Sequence, residues 1–162
     1  MDSAWQTVLT ALQQEFSDLP DLGQATRLVV RLLLAAVLGG LLGWERETSG
    51  KAAGVRTHML VALGAALFVM IPQQAGVSDA DMSRVIQGVV AGVGFLGAGT
   101  IIKGRDEEDV QGLTTAAGIW LTAAIGVGVG LGREASAVLS TLLALVILHW
   151  LPRLVSRWNK PR

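Results

Sequence analysis

Cysteine is absent from the 162-residue sequence, which excludes disulfide bonds, zinc ribbons, iron–sulfur clusters and thiol nucleophiles. Charge is scarce, since only 16% of the residues are charged, and the 13 residues of each sign leave no net charge. A nucleic-acid-binding protein is therefore not expected, because no net field attracts phosphate. HExxH, GxSxG and Walker motifs are also missing, as is any pair of carboxylates inside an apolar run. The sequence predicts no enzyme, no metal site and no cofactor.

Apolar residues make up 51% of the chain and fall in long uncharged runs. A soluble helix carries a charge every turn or two on its wet face, whereas a membrane span needs about 20 mostly apolar residues. The sequence therefore predicts an all-α membrane protein with five transmembrane helices; four spans and a re-entrant segment are the alternative. The expected spans are residues 28–44, 57–72, 85–102, 113–132 and 134–151, with Pro72 and Pro152 closing the second and fifth.

The distribution of Lys and Arg predicts the orientation of these spans. Nine basic residues fall on one side, in the loops 45–56 and 103–112 and in the tail after residue 152, against three on the other side, Arg27, Arg84 and Arg133. Because basic residues accumulate in cytoplasmic loops, we expect a membrane protein with its N-terminus outside and its C-terminus in the cytoplasm. Membrane lipids are then its surroundings.

Three segments are expected along the chain. Residues 1–24 hold an amphipathic helix and a linker, because apolar residues from Trp5 to Leu19 recur at helical spacing among polar ones. This helix lies either on the outer membrane interface or against the protein's own outer face. Residues 25–152 form the five-helix transmembrane domain, and residues 153–162 form a basic cytoplasmic tail.

Glycine is frequent, at 20 residues, and its spacing predicts close helix packing. The pairs Gly39/Gly43 and Gly88/Gly92 have the GxxxG spacing that lets helix backbones approach in a bilayer, which favours a homo-oligomer. Residues 92–97 match GxGxxG, but they lie inside a span without a preceding strand, so no dinucleotide site is expected. Helix packing is one reading of this run, and a broken helix that lines a site is the other.

An offset of 58 residues relates the first two spans to the third and fourth. Gly39 then falls on Gly97, and Gly54 falls on Gly112. Apolar composition also produces such matches by chance, so the duplication stays open. If it is real, both hairpins have their loop in the cytoplasm, which makes this a parallel two-helix repeat rather than an inverted one.

Polar residues at the outer ends of the spans form the candidate functional cluster, which consists of Arg31, Asp81, Arg84 and Gln87. Arg31 lies about one turn inside its span, where an unpaired charge costs about 2.5–3.5 kcal/mol. It needs an anionic partner, and Asp79, Asp81 or a helix C-terminus are candidates; a snorkelling anchor is the alternative. We expect Arg31 within hydrogen-bonding reach of the third span's outer end. Asp81 and Arg84 could equally cap and solvate the start of that helix.

A second set of polar residues brackets the predicted cytoplasmic loops. Thr hydroxyls at such places cap helices or form hydrogen bonds between them. An acidic run at residues 106–109 could hold Mg²⁺ or Ca²⁺, but it is more simply a solvated loop. The residues of this cytoplasmic-side motif are Glu45, Arg46, Arg56, Thr57, Thr114 and Thr115.

These motifs, taken in order, resemble the MgtC/SapB family of bacterial membrane proteins. The resemblance covers about residues 27–135. The sequence departs from the family pattern at Gln111, where a basic residue is frequent, and it ends without the soluble C-terminal domain of longer members. The matching motifs are the run from Arg31 to Glu47, Gly54–His58, Asp81–Val85, Gly92–Lys103 and Gly112–Ala117, followed by Trp120.

The resemblance implies an inner-membrane protein linked to growth at low Mg²⁺. It also implies a relation to virulence and to survival inside macrophages, with the F-type ATP synthase or another membrane complex as a partner. At the residue level it implies that Asp81 is functionally sensitive. Two functions are therefore expected as alternatives: modulation of a membrane partner complex, or an ion or small-solute conduit with a polar site on the outer side.

Overall fold

The computed structural model describes residues 2–15, 17, 21–103 and 110–158. Helices dominate these residues, and the predicted all-α membrane fold is confirmed. One pair of two-residue antiparallel strands is added, in which Ile102 pairs with Gln111 and Lys103 with Val110. The elements are α1 (Asp2–Glu15), α2 (Leu22–Thr48), α3 (Val55–Gln74), α4 (Asp79–Ala98), β1 (Ile102–Lys103), β2 (Val110–Gln111), α5 (Leu113–Gly130) and α6 (Glu134–Trp158).

The chain divides into two compact units, residues 1–30 and residues 31–162. In the first unit, the apolar residues of α1 stay exposed, with Trp5, Leu9 and Leu12 among them. Asp21 caps the start of α2, because its Oδ1 accepts a hydrogen bond from the Gln24 amide at 2.7 Å. The amphipathic helix is thus present, and its place on the membrane interface stays a prediction.

Four helices in the described part of the chain are long and apolar enough to cross a membrane: α2, α3, α5 and the Glu134–Pro152 part of α6. They correspond to four of the five predicted spans. The remaining predicted span lies on α4, whose first turns contain Asp79, Asp81 and Arg84 and which falls outside this set. Length and composition therefore support four spans directly, and α4 is the predicted span that they do not support.

The boundaries predicted for the third span need correction. Helix α4 begins at Asp79, because Ser78 caps it by accepting a hydrogen bond from the Asp81 amide, and it ends at Ala98 rather than at residue 102. Beyond Ala98 the Thr100 hydroxyl donates to the Gly97 carbonyl at 2.8 Å, which satisfies a carbonyl that a continuing helix would have used. The chain then turns into β1.

The two prolines lie near the ends of the second and fifth spans, as predicted, and the fifth candidate span runs from Glu134 to Pro152, but neither proline ends its helix. Pro72 lies within the last turn of α3, which ends at Gln74, and α6 continues past Pro152 to Trp158. A proline removes one backbone hydrogen bond from a helix without always ending it. Part of the predicted tail is consequently helical. The acidic run at residues 106–109 and the tail residues 159–162 lie outside the described residues.

The core of the second unit is built on close contact between α3 and α5. A Cβ atom on Gly126 would collide with the Ala62 carbonyl oxygen, and one on Gly130 would lie 2.7 Å from the Ala66 carbonyl oxygen. Small residues at four-residue spacing on both helices thus let the two backbones touch. Because lipid gives no hydrophobic drive to helix association, this close packing is the main attraction available.

The α2–α3 contact has the same character and agrees with the predicted repeat. A Cβ atom on Gly39 would lie 2.6 Å from the His58 carbonyl oxygen. The residues 58 positions later, Gly97 and Ala116, also meet, with the corresponding distance from Gly97 to the Ala116 Cβ being 3.5 Å. Equivalent pairs on α2–α3 and α4–α5 are therefore in contact, which supports a parallel two-helix repeat.

Candidate functional site

Arg31 is held by three different helices at one end of the second unit. Its Nη1 donates to the Gly130 carbonyl oxygen at 3.0 Å and to Gln73 Oε1 at 3.2 Å, and its Nε lies 3.4 Å from Glu134 Oε1. Gly130 is the last residue of α5, where free carbonyls carry partial negative charge. We call Arg31, Gln73, Gly130 and Glu134 the Arg31 cluster. The cluster thus gives the Arg31 guanidinium two hydrogen-bond acceptors and a carboxylate partner from the same chain.

The turn between α5 and α6 is shaped to receive this guanidinium. Gly132 has a φ of 76°, and a Cβ atom there would collide with Arg31 Nη2. Backbone bonds from Gly132 to Val129 and from Arg133 to Gly128 close the end of α5. Glycine is therefore needed at position 132 both for its backbone angle and for the approach of Arg31.

The expected meeting of Arg31 with the outer end of the third span is not what the structure shows. Of the partners anticipated for Arg31, the helix C-terminus is present and Asp81 is not. The Asp81 carboxylate instead accepts from the Ser78 hydroxyl at 2.7 Å and from Arg84 Nη1 at 3.0 Å. Sequence spacing placed Arg31 and Asp81 at similar depth in the membrane. In the structure, the Gly130 carbonyl on α5 and the Glu134 carboxylate on α6 are the groups near Arg31.

Asp81 and Arg84 form an exposed capping arrangement at the start of α4. Ser78 and Asp81 bond to each other in both directions, since the Asp81 amide also donates to Ser78 Oγ at 3.2 Å. Gln87 lies one turn further along the helix and is exposed. These three predicted residues thus share one end of α4, apart from the Arg31 cluster, and their functional role stays a prediction.

The opposite end of the second unit contains a buried ion pair. Arg46 is only 4% exposed, and its Nη2 and Nε both lie 2.5 Å from Glu45 Oε2. The other oxygen of Glu45 accepts a hydrogen bond from the Ser49 hydroxyl at 3.0 Å. Two neighbouring residues of α2 thereby neutralise each other at the helix end, where the sequence placed a cytoplasmic-side motif.

Glu47 has a role that the sequence analysis did not find. Its Oε2 accepts a hydrogen bond from the Val55 amide at 2.8 Å, so it caps the first turn of α3 from the end of α2. A Cβ atom on Gly54 would collide with this carboxylate. The sequence signal for this cap is weak. It consists of an acidic residue eight positions before the start of α3 and a glycine immediately before that helix.

The remaining members of the predicted cytoplasmic-side motif divide between surface and interior. Arg56 and Thr57 are exposed at the start of α3, Thr115 is buried, and Thr114 is exposed. Thr114 lines a cleft of about 760 Å³ together with Glu45 and Arg46. The structure therefore gathers three of these six residues around one cleft.

The two predicted glycine pairs have different surroundings. Gly39 and Gly43 are packed against the start of α3, where a Cβ atom on Gly43 would lie 2.6 Å from the Val55 Cα. Gly88 and Gly92 have open space around them and line a groove of about 550 Å³ between α3 and α4. The first pair thus serves packing within the chain, while the second pair leaves an apolar groove open.

No group of three or more His, Asp or Glu side chains among the described residues is arranged to hold a metal ion. The Arg31 cluster and the cleft at Arg46 each contain an ion pair within the chain. Their chemistry is that of charge pairing and helix capping.

Comparison with known proteins places the chain in a family. The profile of the MgtC family matches residues 32–157. SrpB of Synechococcus elongatus is 45% identical over 135 residues, which cover 76% of this chain and 74% of SrpB. YhiD of Escherichia coli K12 is 42% identical over 137 residues, or 80% of this chain and 62% of YhiD. MgtC of Salmonella typhimurium LT2 is 42% identical over 117 residues, or 72% of this chain and 49% of MgtC.

Fold and polar sites together define a small all-α integral membrane protein in which Arg31 and Arg46, near the two ends of the second unit, are paired with carboxylates of the same chain. The family match then names it further: the chain belongs to the MgtC family. No solved structure matches it. The chain spans about half the length of MgtC and less than two thirds of YhiD, so what those whole proteins do is not transferred by the match alone.

Proposed function

We infer that the chain is an inner-membrane protein of adaptation to low Mg²⁺ that acts by modulating a membrane partner complex. The family match and the names of two relatives, MgtC and the proposed magnesium transporter YhiD, support the relation to magnesium. The mode of action rests on one observation, the open groove between α3 and α4. The Arg31 cluster and the cleft at Arg46 contain charges that are paired within the chain, whereas the groove is lined by apolar residues and offers a second membrane protein an apolar surface.

The groove has the properties of a helix-docking surface in lipid. Its lining is apolar, from Leu60 and Phe68 on α3 to Val85 and Leu96 on α4. Gly64, Gly88 and Gly92 each have no neighbouring atom within 4 Å of a Cβ position. A partner helix could approach these backbones closely, which is the arrangement that stabilises helix pairs in a bilayer. A transmembrane helix of the partner complex is the proposed occupant.

Filling the groove tests this proposal. The variant with Gly88→Leu and Gly92→Leu places two large side chains in the groove, whereas Gly94→Leu puts the same side chain on α4 outside the groove lining. We expect the double variant to lose both partner copurification from bacterial membranes and growth at low Mg²⁺, while Gly94→Leu keeps both. Copurified material is probed for the F-type ATP synthase and for a second copy of the chain.

Three results would count against the partner role. Retention of the partner by the double variant removes the groove from consideration. Recovery of a second copy alone would make the groove a homo-oligomer interface instead. Growth at low Mg²⁺ with no copurifying protein would exclude modulation altogether.

A solute conduit is the second candidate, and the cleft at Arg46 favours it. That cleft is lined by Glu45, Arg46, Ser49 and Lys51, and it adjoins a cavity inside the second unit. Flux of Mg²⁺ into proteoliposomes that contain only this protein distinguishes the two candidates. Transport without a partner favours the conduit, and silent liposomes together with a copurified partner favour modulation.

A further inference from the structure

His58 is a buried polar residue that neither of these functions uses. Its side chain is 0% exposed, and its Nδ1 lies 2.9 Å from the Gly54 carbonyl oxygen. A carbonyl oxygen only accepts hydrogen bonds, so Nδ1 must carry the proton and donate. In the neutral ring this leaves Nε2 with a lone pair. Within the described part of the chain, His58 Nε2 is the buried side-chain atom that has no hydrogen-bond partner.

A cavity lies against this lone pair. It has a volume of about 180 Å³ and is lined by residues of α2, α3, α5 and α6, with Leu42, Leu121 and Ala144 among its apolar lining residues. A Cβ atom on Gly118, which also lines this cavity, would stand 3.6 Å from Nε2, so the buried nitrogen lies directly behind this glycine. A buried acceptor of this kind costs free energy unless something donates to it.

The cavity adjoins the cleft at the polar end of the unit. Thr114, Ile147 and Leu148 line both the cavity and the larger cleft that contains Arg46 and Lys51. These three residues therefore separate the cleft from the space beside His58.

We propose that this cavity, the His58 cavity, binds a small uncharged solute that has one O–H or N–H donor on an apolar body. The donor bonds to His58 Nε2, and the apolar body fills the space lined by leucine and alanine. A cavity of comparable size lined by apolar residues accepts benzene in another protein, so a phenol-sized molecule fits. This assignment goes beyond the partner role, because the His58 cavity and the groove between α3 and α4 share no lining residue.

Other ligand classes fit the lining less well. A carboxylate or phosphate oxygen would be repelled by the lone pair of Nε2, and any ion would lose its hydration among apolar side chains. A metal ion needs several ligands, and no cluster of three His, Asp or Glu occurs among the described residues. The lining therefore fits a small uncharged molecule with one hydrogen-bond donor on an apolar body.

The test follows the nitrogen signal of His58 in the full chain, reconstituted in phosphatidylcholine nanodiscs. The chain has two histidines, His58 and His149, so ¹⁵N-labelled histidine gives few signals and H149Q assigns them. Phenol is the probe, and benzene is the matched molecule without a donor. We expect a saturable shift of the Nε2 resonance with phenol and none with benzene.

Two matched glycine variants on α5 make the result specific. Gly118→Ala covers Nε2 at an ordinary contact distance and should weaken phenol binding about tenfold, which is the value of one lost hydrogen bond. Gly128→Ala adds the same methyl group away from the His58 cavity, 3.8 Å from Ala137 Cβ, and should leave binding unchanged. Leu121→Phe places a larger side chain in the His58 cavity and should abolish the phenol-induced shift of the Nε2 resonance.

The proposal fails if phenol causes no saturable shift, because the cavity then holds water alone. It also fails if Gly118→Ala and Leu121→Phe respond as the unmodified chain does, since phenol would then reach the ring only through bulk lipid. Loss of the groove's partner in the Gly88→Leu, Gly92→Leu variant leaves these signals unaffected, so the two proposals fail separately.

Discussion

At the scale of single residues, the charged side chains are held by short-range partners that sequence spacing predicts only in part. The pattern predicted correctly that Arg31 needs a counter-charge and named a helix C-terminus among the candidates. It could not name Gly130 and Glu134, because both lie about a hundred residues away and their position depends on how the α5–α6 turn packs. His58 was set aside because a lone histidine is no metal site, and only burial reveals its unpaired nitrogen.

The Glu45–Arg46 pair gives a stability prediction. Glu45→Ala leaves Arg46, which is 4% exposed, without its carboxylate, and loss of one partner of a buried pair costs about 3–5 kcal/mol. We expect a large drop in the free energy of unfolding in detergent. Arg56→Ala removes an exposed cation from the adjacent helix and is the control, with an expected change within about 0.5 kcal/mol. Equal stability of the two variants would contradict the pair's importance.

Asp81 gives a functional prediction at the same scale. We predict that Asp81→Ala abolishes growth at low Mg²⁺ in a complemented null strain, whereas Asp106→Ala does not. Ser78→Ala separates function from capping, because it removes the cap of α4 but keeps the carboxylate, at a stability cost of about 0.5–2 kcal/mol. Full complementation by Asp81→Ala would remove this end of α4 from the functional site.

At the scale of helices, packing is decided by where small residues coincide on two elements. The two GxxxG pairs can be read from the sequence, but the sequence does not show which pair packs against another helix of the chain. Gly39 meets the His58 backbone, whereas Gly88 and Gly92 remain open. The pair that packs most closely, Gly126 and Gly130 against Ala62 and Ala66, was not singled out, because glycine spacing on one helix does not name its neighbour.

The α3–α5 contact is tested by adding one methyl group. Gly126→Ala would force its Cβ into the Ala62 carbonyl, so the helices must separate and the protein should lose about 1–3 kcal/mol of stability. Gly64→Ala adds the same group to α3 in open space, where replacing a helical glycine should be neutral or stabilising. Thermal unfolding in detergent compares the two. A Gly126→Ala protein as stable as Gly64→Ala would show that α3 and α5 tolerate separation.

At the scale of the whole molecule, the apolar runs were sufficient for the fold class, and α2, α3, α5 and α6 lie close to four predicted spans. The third span was the least well predicted, because capping by Ser78 and the Thr100 hydroxyl bond set its ends, and neither changes hydropathy. The strand pair β1–β2 was also missed, since two-residue strands leave no periodic pattern.

Orientation is the prediction that belongs to this scale. The bias of Lys and Arg predicts an external N-terminus and a cytoplasmic C-terminus. Alkaline phosphatase fused after Arg162 should therefore be inactive, and green fluorescent protein at the same place should fluoresce. An active phosphatase at the C-terminus would reverse the assignment or change the number of spans.

The Arg31 cluster also has a consequence for biogenesis. A ribosome delivers Arg31 to the membrane roughly a hundred residues before Gly130 and Glu134 exist, so the first span enters with its cation unmatched. An arginine at depth in that state costs about 2.5–3.5 kcal/mol. Insertion of the α5–α6 hairpin then supplies the carbonyl and the carboxylate together. The α5–α6 hairpin thus fixes the first span by pairing its cation, and a chain truncated before residue 130 would leave Arg31 without these two partners.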